Sequence, residues 1–224
     1  QSYREVLSDP KTQVVNNTTQ SRKVKEIGNN IKNAVTRFMS QQGLSASIEG
    51  FNWEFNLLQS NDVNAWCMPG GKVAVYTGIL PITLNDDGLA TVMGHEIAHA
   101  IAKHSNERYS NAMIAQGAGA ILGGAVTKTE AGKGVFNQVF GVGAQAGVLL
   151  PNSRKQESEA DRLGLTFMAM AGYNPDAAVS FWTRMSQKSG GQAPPEWIST
   201  HPSDATRIAD IKKYLPEART YYKK

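Results

Sequence analysis

The stretch His95-Glu96-Ile97-Ala98-His99 constrains this chain more than any other. Two histidines separated by three residues lie one turn apart on the same side of an α-helix. Glu96 sits about 100° round that helix, within reach of whatever the two imidazoles hold. Leu89, Val92, Met93, Ile97, Ala100 and Ile101 give the helix largely apolar surroundings. Buried polar groups left without partners cost on the order of 1–3 kcal/mol each. The fold must therefore supply something that satisfies this helix. A metal ion does so. Zinc suits nitrogen and oxygen donors and leaves one position open for water, which Glu96 can then reach.

Two histidines do not complete such a site. One solution is a third histidine ten residues after the first, preceded by a glycine, but positions 105 and 102 are Ser105 and Ala102. His104 is out of register for that pattern and reads as a structural group or one that supports a ligand. The other solution is a carboxylate from a later helix, and Glu157 and Glu159 both qualify by chemistry. Glu157 and Asp161 are four apart and share a helix face. Asp161 can therefore accept a hydrogen bond from the far nitrogen of a ligand histidine, which fixes its tautomer. Glu159 points elsewhere and reads as a solvent-exposed helix start.

Hydropathy patterning places these residues in an α+β fold that is mainly helical. Val24, Ile27, Ile31, Val35 and Phe38 recur at helical spacing over residues 21–39. Phe51 to Leu57 alternates as a strand does, and residues 63–68 and 72–77 read as two more. These predict a small antiparallel sheet packed on the histidine helix, which itself is predicted over residues 86–105. Pro69-Gly70-Gly71 reads as a hairpin. The strand at 72–77 is a candidate edge to which an extended substrate adds, giving Asn64, Gly71, Lys72, Val73, Ala74 and Val75 as substrate-binding candidates. Asn64 and the glycines also have plain readings as turn residues. The Gly/Ala-rich segment 109–150 reads as tight helix packing or a flexible lid rather than a membrane contact. Further helices are expected from residue 153 to Gly172, from Asn174 to Lys188 and from Ser203 to Leu215, with an exposed loop at 189–195. Residues 1–20 read as a polar arm, mobile or lying on the surface, and residues 21–224 as a single domain.

Composition narrows the class. The chain has 224 residues and is 41% hydrophobic, enough for one ordinary core. A net charge of +4 without a polybasic block excludes nucleic acid as the expected partner. No run of 18 apolar residues is present, so no transmembrane helix is expected. One cysteine, Cys67, rules out an intrachain disulfide but does not identify a compartment. No signal peptide is visible, and the start at Gln1 leaves open a presequence or anchor already removed.

His95-Glu-x-x-His99 followed by Arg154-x-x-Glu157-x-x-Ala160-Asp161-x-x-Gly164 resembles the HtpX and CAAX-prenyl-protease family of zinc peptidases. It is most similar to the soluble or lipid-anchored periplasmic members of the LoiP and BepA type. Asn64-Ala65-Trp66, Pro69-Gly70-Gly71 and Thr77-Gly78-Ile79-Leu80 match the segment before the metal helix, and His201-Pro202 with Arg207-Ile208 match the C-terminal end. Trp66 and Cys67 depart mildly from the pattern. The resemblance implies a zincin-like fold and one Zn2+ per chain held by His95, His99 and Glu157. It implies a zinc endopeptidase in which Glu96 is the general base. His201 and Arg207 are candidates to stabilise the oxyanion, with Tyr109 a weaker one. It further implies that His201 can take the fourth zinc position and hold the enzyme latent. The expected substrates are unfolded or damaged envelope polypeptides, outer-membrane proteins among them, in the periplasm or at the outer membrane of a Gram-negative bacterium. Membrane contact is expected only through a removed anchor. The competing reading is a largely non-catalytic zinc-binding chaperone or assembly factor for outer-membrane proteins.

Overall fold

The computed structural model describes residues 3–10, 12–115, 154–188, 201 and 205–223. Helix α4 (Asp86–Ile101) carries the paired histidines, and the other elements pack round it. The Asn85 side chain starts it by accepting from the Gly88 N–H at 2.9 Å, and Asp86 and Asp87 sit at the positive end of its dipole. Every residue from Gly88 to Ala100 is buried, the environment of a helix that is apolar on all sides. It is shorter than the predicted 86–105. Lys103 adopts φ +59°, and the chain restarts as α5 (His104–Ala115).

Helices α1 (Tyr3–Ser8) and α2 (Thr19–Gln41) precede the main sheet strands. Thr18 and Ser21 cap α2 reciprocally, each side chain accepting from the other's backbone N–H at 3.0 Å. Its buried face is the predicted one, Val24, Ile27, Ile31 and Val35. The Phe55 ring crosses α2 at Gly28, where a Cβ would come within 2.3 Å of that ring.

The sheet has four strands: β1 (Gln13–Val15), β2 (Glu54–Gln59), β3 (Ala65–Met68) and β4 (Lys72–Tyr76), in the order β1-β2-β4-β3. It is mixed rather than purely antiparallel, because β2 and β4 run parallel from Glu54↔Lys72 to Leu58↔Tyr76. Parallel neighbours need a crossover. Residues 60–71 provide it, and β3 is part of that crossover, laid on the far side of β4. The expected edge role of residues 72–76 is thereby overturned. β4 is bonded to β2 on one side and to β3 on the other, so its backbone cannot accept a further strand. The edges are β1 and β3. The N-terminal segment, expected as a polar arm, supplies β1 and buries Tyr3, whose hydroxyl donates to the Val73 carbonyl at 3.3 Å.

Helices α6 (Arg154–Met170) and α7 (Ala177–Lys188) pack on α4, and α8 (Ala205–Tyr221) packs on those two, while α3 (Leu80–Thr83) leads into α4. Among the described residues no helix is long and apolar enough to cross a membrane. The 116–150 part of the Gly/Ala-rich segment, the loop at 189–195 and Pro202-Ser203-Asp204 lie outside the described residues, as does the side chain of Tyr109.

Candidate metal centre

Two glycines bring α4 and α6 together. A Cβ on Gly164 would lie 2.9 Å from the His95 backbone nitrogen, and one on Gly94 would lie 2.9 Å from the Gly164 carbonyl oxygen. Only bare backbone permits this approach, and it sets the face carrying Glu157 and Asp161 against the face carrying His95 and His99. His201 arrives from the segment before α8. The ligand atoms of His95, His99, Glu157 and His201 lie within 4.8 Å of one another, and all four residues are buried.

The donor set fits a metal ion. Nε2 of His95 and Nε2 of His99 face each other at 3.0 Å. Glu157 lies alongside, with one oxygen 3.2 Å from His99 Nε2 and the other 3.5 Å from His95 Nε2. Arg207 Nη1 stands 2.7 Å from a Glu157 oxygen, yet neither oxygen accepts a hydrogen bond of good geometry. Those contacts are charge contacts off the hydrogen-bonding direction. A buried carboxylate without aligned donors, beside two converging imidazole nitrogens, is what a divalent cation satisfies.

Asp161 and Arg207 hold the centre from behind. Asp161 Oδ1 is 2.9 Å from Nδ1 of His95, which leaves Nε2 to face the cluster. Arg207 donates from Nε and Nη2 to the two Asp161 oxygens, both at 2.8 Å, and stacks on Trp182 with 3.3 Å from its central carbon to the ring centroid. Its guanidinium is occupied by carboxylates and an aromatic face. The placement suits a positioning residue better than the expected oxyanion donor. Glu96 is buried, and its Oε1 is 3.5 Å from Nε2 of His201. On the remaining side, His99 Nδ1 lies 2.8 Å from His104 Nδ1, and His104 Nε2 lies 3.3 Å from Glu159.

Electrostatics differ sharply between the two paired histidines. Burial lowers the pKa of His95, but the bond to Asp161 and the charges of Asp161 and Glu157 outweigh it and raise the pKa to about 9. Burial dominates at His99, and with the charges of His95 and His104 it outweighs Glu157 and lowers the pKa to about 3. His201 is pushed well down by burial, so its imidazole is neutral, as a metal ligand requires. Glu157 is held far down: burial raises it, and the facing His201, His95 and His99 overcome that. Asp161 is also held down, chiefly by Arg207 working against burial.

The substrate-strand candidates do not form the open edge expected of them. Asn64 is buried, and its Oδ1 accepts from the Ala65 N–H at 2.8 Å. Gly71, at φ +86°, serves the β3–β4 turn, where a Cβ would strike Trp53. Lys72 pairs with Glu54, while Val73, Ala74 and Val75 are fully buried. The open strand beside α4 is β3, and its Cys67 thiol is raised by burial and by the charge of Glu96. Sequence reasoning missed Trp182 and the contact from Glu159 to His104. Trp182 sits in an apolar period with Ala178, Phe181 and Met185, which nothing in the pattern separates from plain core. The two-residue offset of Glu159 from Glu157 already pointed it away from the metal cluster.

A profile described as Peptidase family M48 matches residues 28–215. The mitochondrial metalloendopeptidase OMA1 of Saccharomyces cerevisiae is 37% identical over 182 residues, covering 78% of this chain and 50% of its own length. Its Schizosaccharomyces pombe counterpart is 36% identical over 191 residues, covering 84% and 53%. The beta-barrel assembly-enhancing protease of Escherichia coli is 28% identical over 174 residues, covering 75% and 35%. The chain spans about half the length of the two yeast relatives.

Proposed function

The chain belongs to peptidase family M48, and from that premise we propose that it is a zinc-dependent endopeptidase acting on unfolded or damaged envelope polypeptides. The observation that carries the reading is the buried cluster of His95, His99, Glu157 and His201 with Glu96 beside it. His95, His99 and Glu157 are the residues that would hold one zinc ion. Zinc, when bound, supplies a Lewis acid that activates water and polarises the scissile carbonyl. Glu96 takes the proton from the attacking water on its carboxylate and hands it to the departing amine. Asp161 keeps the His95 proton on Nδ1, and Arg207 keeps Asp161 in place. The open edge of β3 pairs with the substrate main chain. Such pairing reads backbone rather than side chains, which suits unfolded substrates.

His201 gives the second part of the proposal. Its ring centroid is 5.1 Å from that of His95 and 5.2 Å from that of His99, so it stands where a fourth zinc ligand would. The enzyme is then latent until His201 leaves that position. This same placement favours the alternative, a largely non-catalytic zinc-binding assembly factor for outer-membrane proteins. The Escherichia coli relative's name speaks for a barrel-assembly setting and the resemblance for the periplasm or outer membrane, while the yeast relatives are named as mitochondrial. An intact Glu96 favours the peptidase, because a binder has no use for that carboxylate.

The test is metal analysis with cleavage of a casein-type unfolded substrate by wild type, Glu96→Gln and His201→Ala. Zinc in all three, cleavage by wild type, and a loss of roughly 100-fold or more in Glu96→Gln are expected. Higher activity in His201→Ala supports the latent reading, whereas a large loss assigns His201 to the transition state. No cleavage by wild type or His201→Ala favours the assembly factor.

A further inference from the structure

Lys103 is one of three described non-glycine residues at positive φ, and it lies between the metal helix and α5. A left-handed residue of this kind is strained and persists where the surroundings demand it. Its effect is to fold the first residue of α5 back under the last turn of α4. His104, only 2% exposed, thereby meets His99 with ring centroids 4.9 Å apart and Nδ1 to Nδ1 at 2.8 Å. From α6, Glu159 closes the row at 3.3 Å from His104 Nε2, with its own side chain half exposed.

We propose that His104 and Glu159 form a positioning relay that fixes the tautomer and orientation of the zinc ligand His99. The deduction rests on the zinc reading of the site and on donor bookkeeping along the row. His99 presents Nε2 to His95 and Glu157, so its proton belongs on Nδ1. That proton is donated to His104 Nδ1, which must accept. The His104 proton then stands on Nε2 and is donated to Glu159. Each ring has one consistent tautomer, and the row ends on a carboxylate anchored in the helix that also supplies Glu157. Asp161 does the same for His95 from the opposite side. Each α4 ligand is thus held at its far nitrogen by a group from another element, the arrangement that sets metal affinity. Gln156 donates to Glu107 at 2.7 Å and clasps α5 to α6 independently, so removing the His104 ring leaves the helices joined.

The test measures zinc affinity of the full chain by competition with a chromophoric chelator, beside thermal unfolding of the metal-free forms. His104→Ala is expected to weaken zinc binding about 10–100-fold. His104→Asn, whose amide oxygen takes the accepting place of Nδ1, is expected to recover most of it. Glu159→Gln is expected to give a smaller loss without lowering the metal-free melting temperature. Two-bond 1H–15N spectra of the zinc form should show His99 protonated at Nδ1 and His104 at Nε2. Wild-type affinity in His104→Ala overturns the relay, as does an equal loss in His104→Ala and His104→Asn that follows the metal-free melting temperature. Wild type that binds no zinc overturns the zinc peptidase reading itself, and that outcome differs from a relay failure, in which wild type binds normally.

Discussion

Arg207 lies flat on Trp182 and faces both Asp161 and Glu157. Removing one partner of a buried charge pair leaves the others uncompensated, at about 3–5 kcal/mol. Arg207→Met should therefore destabilise the metal-free protein by about that amount. Zinc brings its own positive charge to Glu157, so the loss should be smaller in the zinc-loaded protein. Denaturant unfolding with zinc and with chelator measures both. An equal loss in the two states would mean that Arg207 acts only through Asp161. At this scale the site was largely legible from spacing: three residues separate Glu157 from Asp161, and three separate His95 from His99. The role of Arg207 was not, because sequence placed it near the site without showing which way the guanidinium points. Trp182 was hidden for a similar reason, being apolar among apolar neighbours.

Among the elements, the crossing of α4 and α6 decides whether those residues meet. A methyl group on Gly164 would fall 2.9 Å from the His95 nitrogen and 3.0 Å from the Gly94 carbonyl carbon. These are backbone atoms and cannot swing aside. Gly164→Ala should force the helices apart, cost about 1–3 kcal/mol, and weaken zinc binding by moving the Glu157 face away from His95. Thermal unfolding and chelator competition on one variant report both effects. Retained affinity at reduced stability would show that the site tolerates the shift. The helices were legible because 3.6-residue periodicity is a local property. The order of strands was not. Three alternating runs joined by short turns suggest a meander, and β4 then becomes an edge. Residues 60–71 instead carry β3 past β4, a choice set by packing against α4 and by the ladder with β2, both remote in sequence. The helix break at Lys103 was equally invisible, since Ala102-Lys103 carries no glycine or proline.

The whole molecule closes one site with segments that are far apart in the chain, Arg207 meeting His95 across 112 positions. Without a cation, that closure depends on a proton. His95 is raised from 6.5 to about 9 because Asp161 and Glu157 outweigh its burial, whereas His99 is lowered to about 3. At pH 7 the metal-free centre therefore holds a proton on His95 and none on His99. A folded-state pKa raised above the unfolded value contributes stability that is full below about 6.5 and is lost as pH rises through about 9. The metal-free protein should accordingly weaken between those values. Zinc requires the neutral imidazole and must displace that proton. Its apparent affinity should therefore climb about tenfold per pH unit between pH 7 and pH 9. The two trends reinforce each other, so the melting-temperature gap between zinc-loaded and chelator-treated protein should widen steadily from pH 7 to pH 9. Calorimetric titration of zinc at pH 7 in two buffers of different ionisation heat should show about one proton released per zinc. A gap that stays constant, with no proton released, would mean that His95 is neutral in the metal-free protein. Among the described residues Arg207 would then be the cation in contact with both Asp161 and Glu157, and Arg207→Met should destabilise the metal-free chain as strongly at pH 7 as at pH 9.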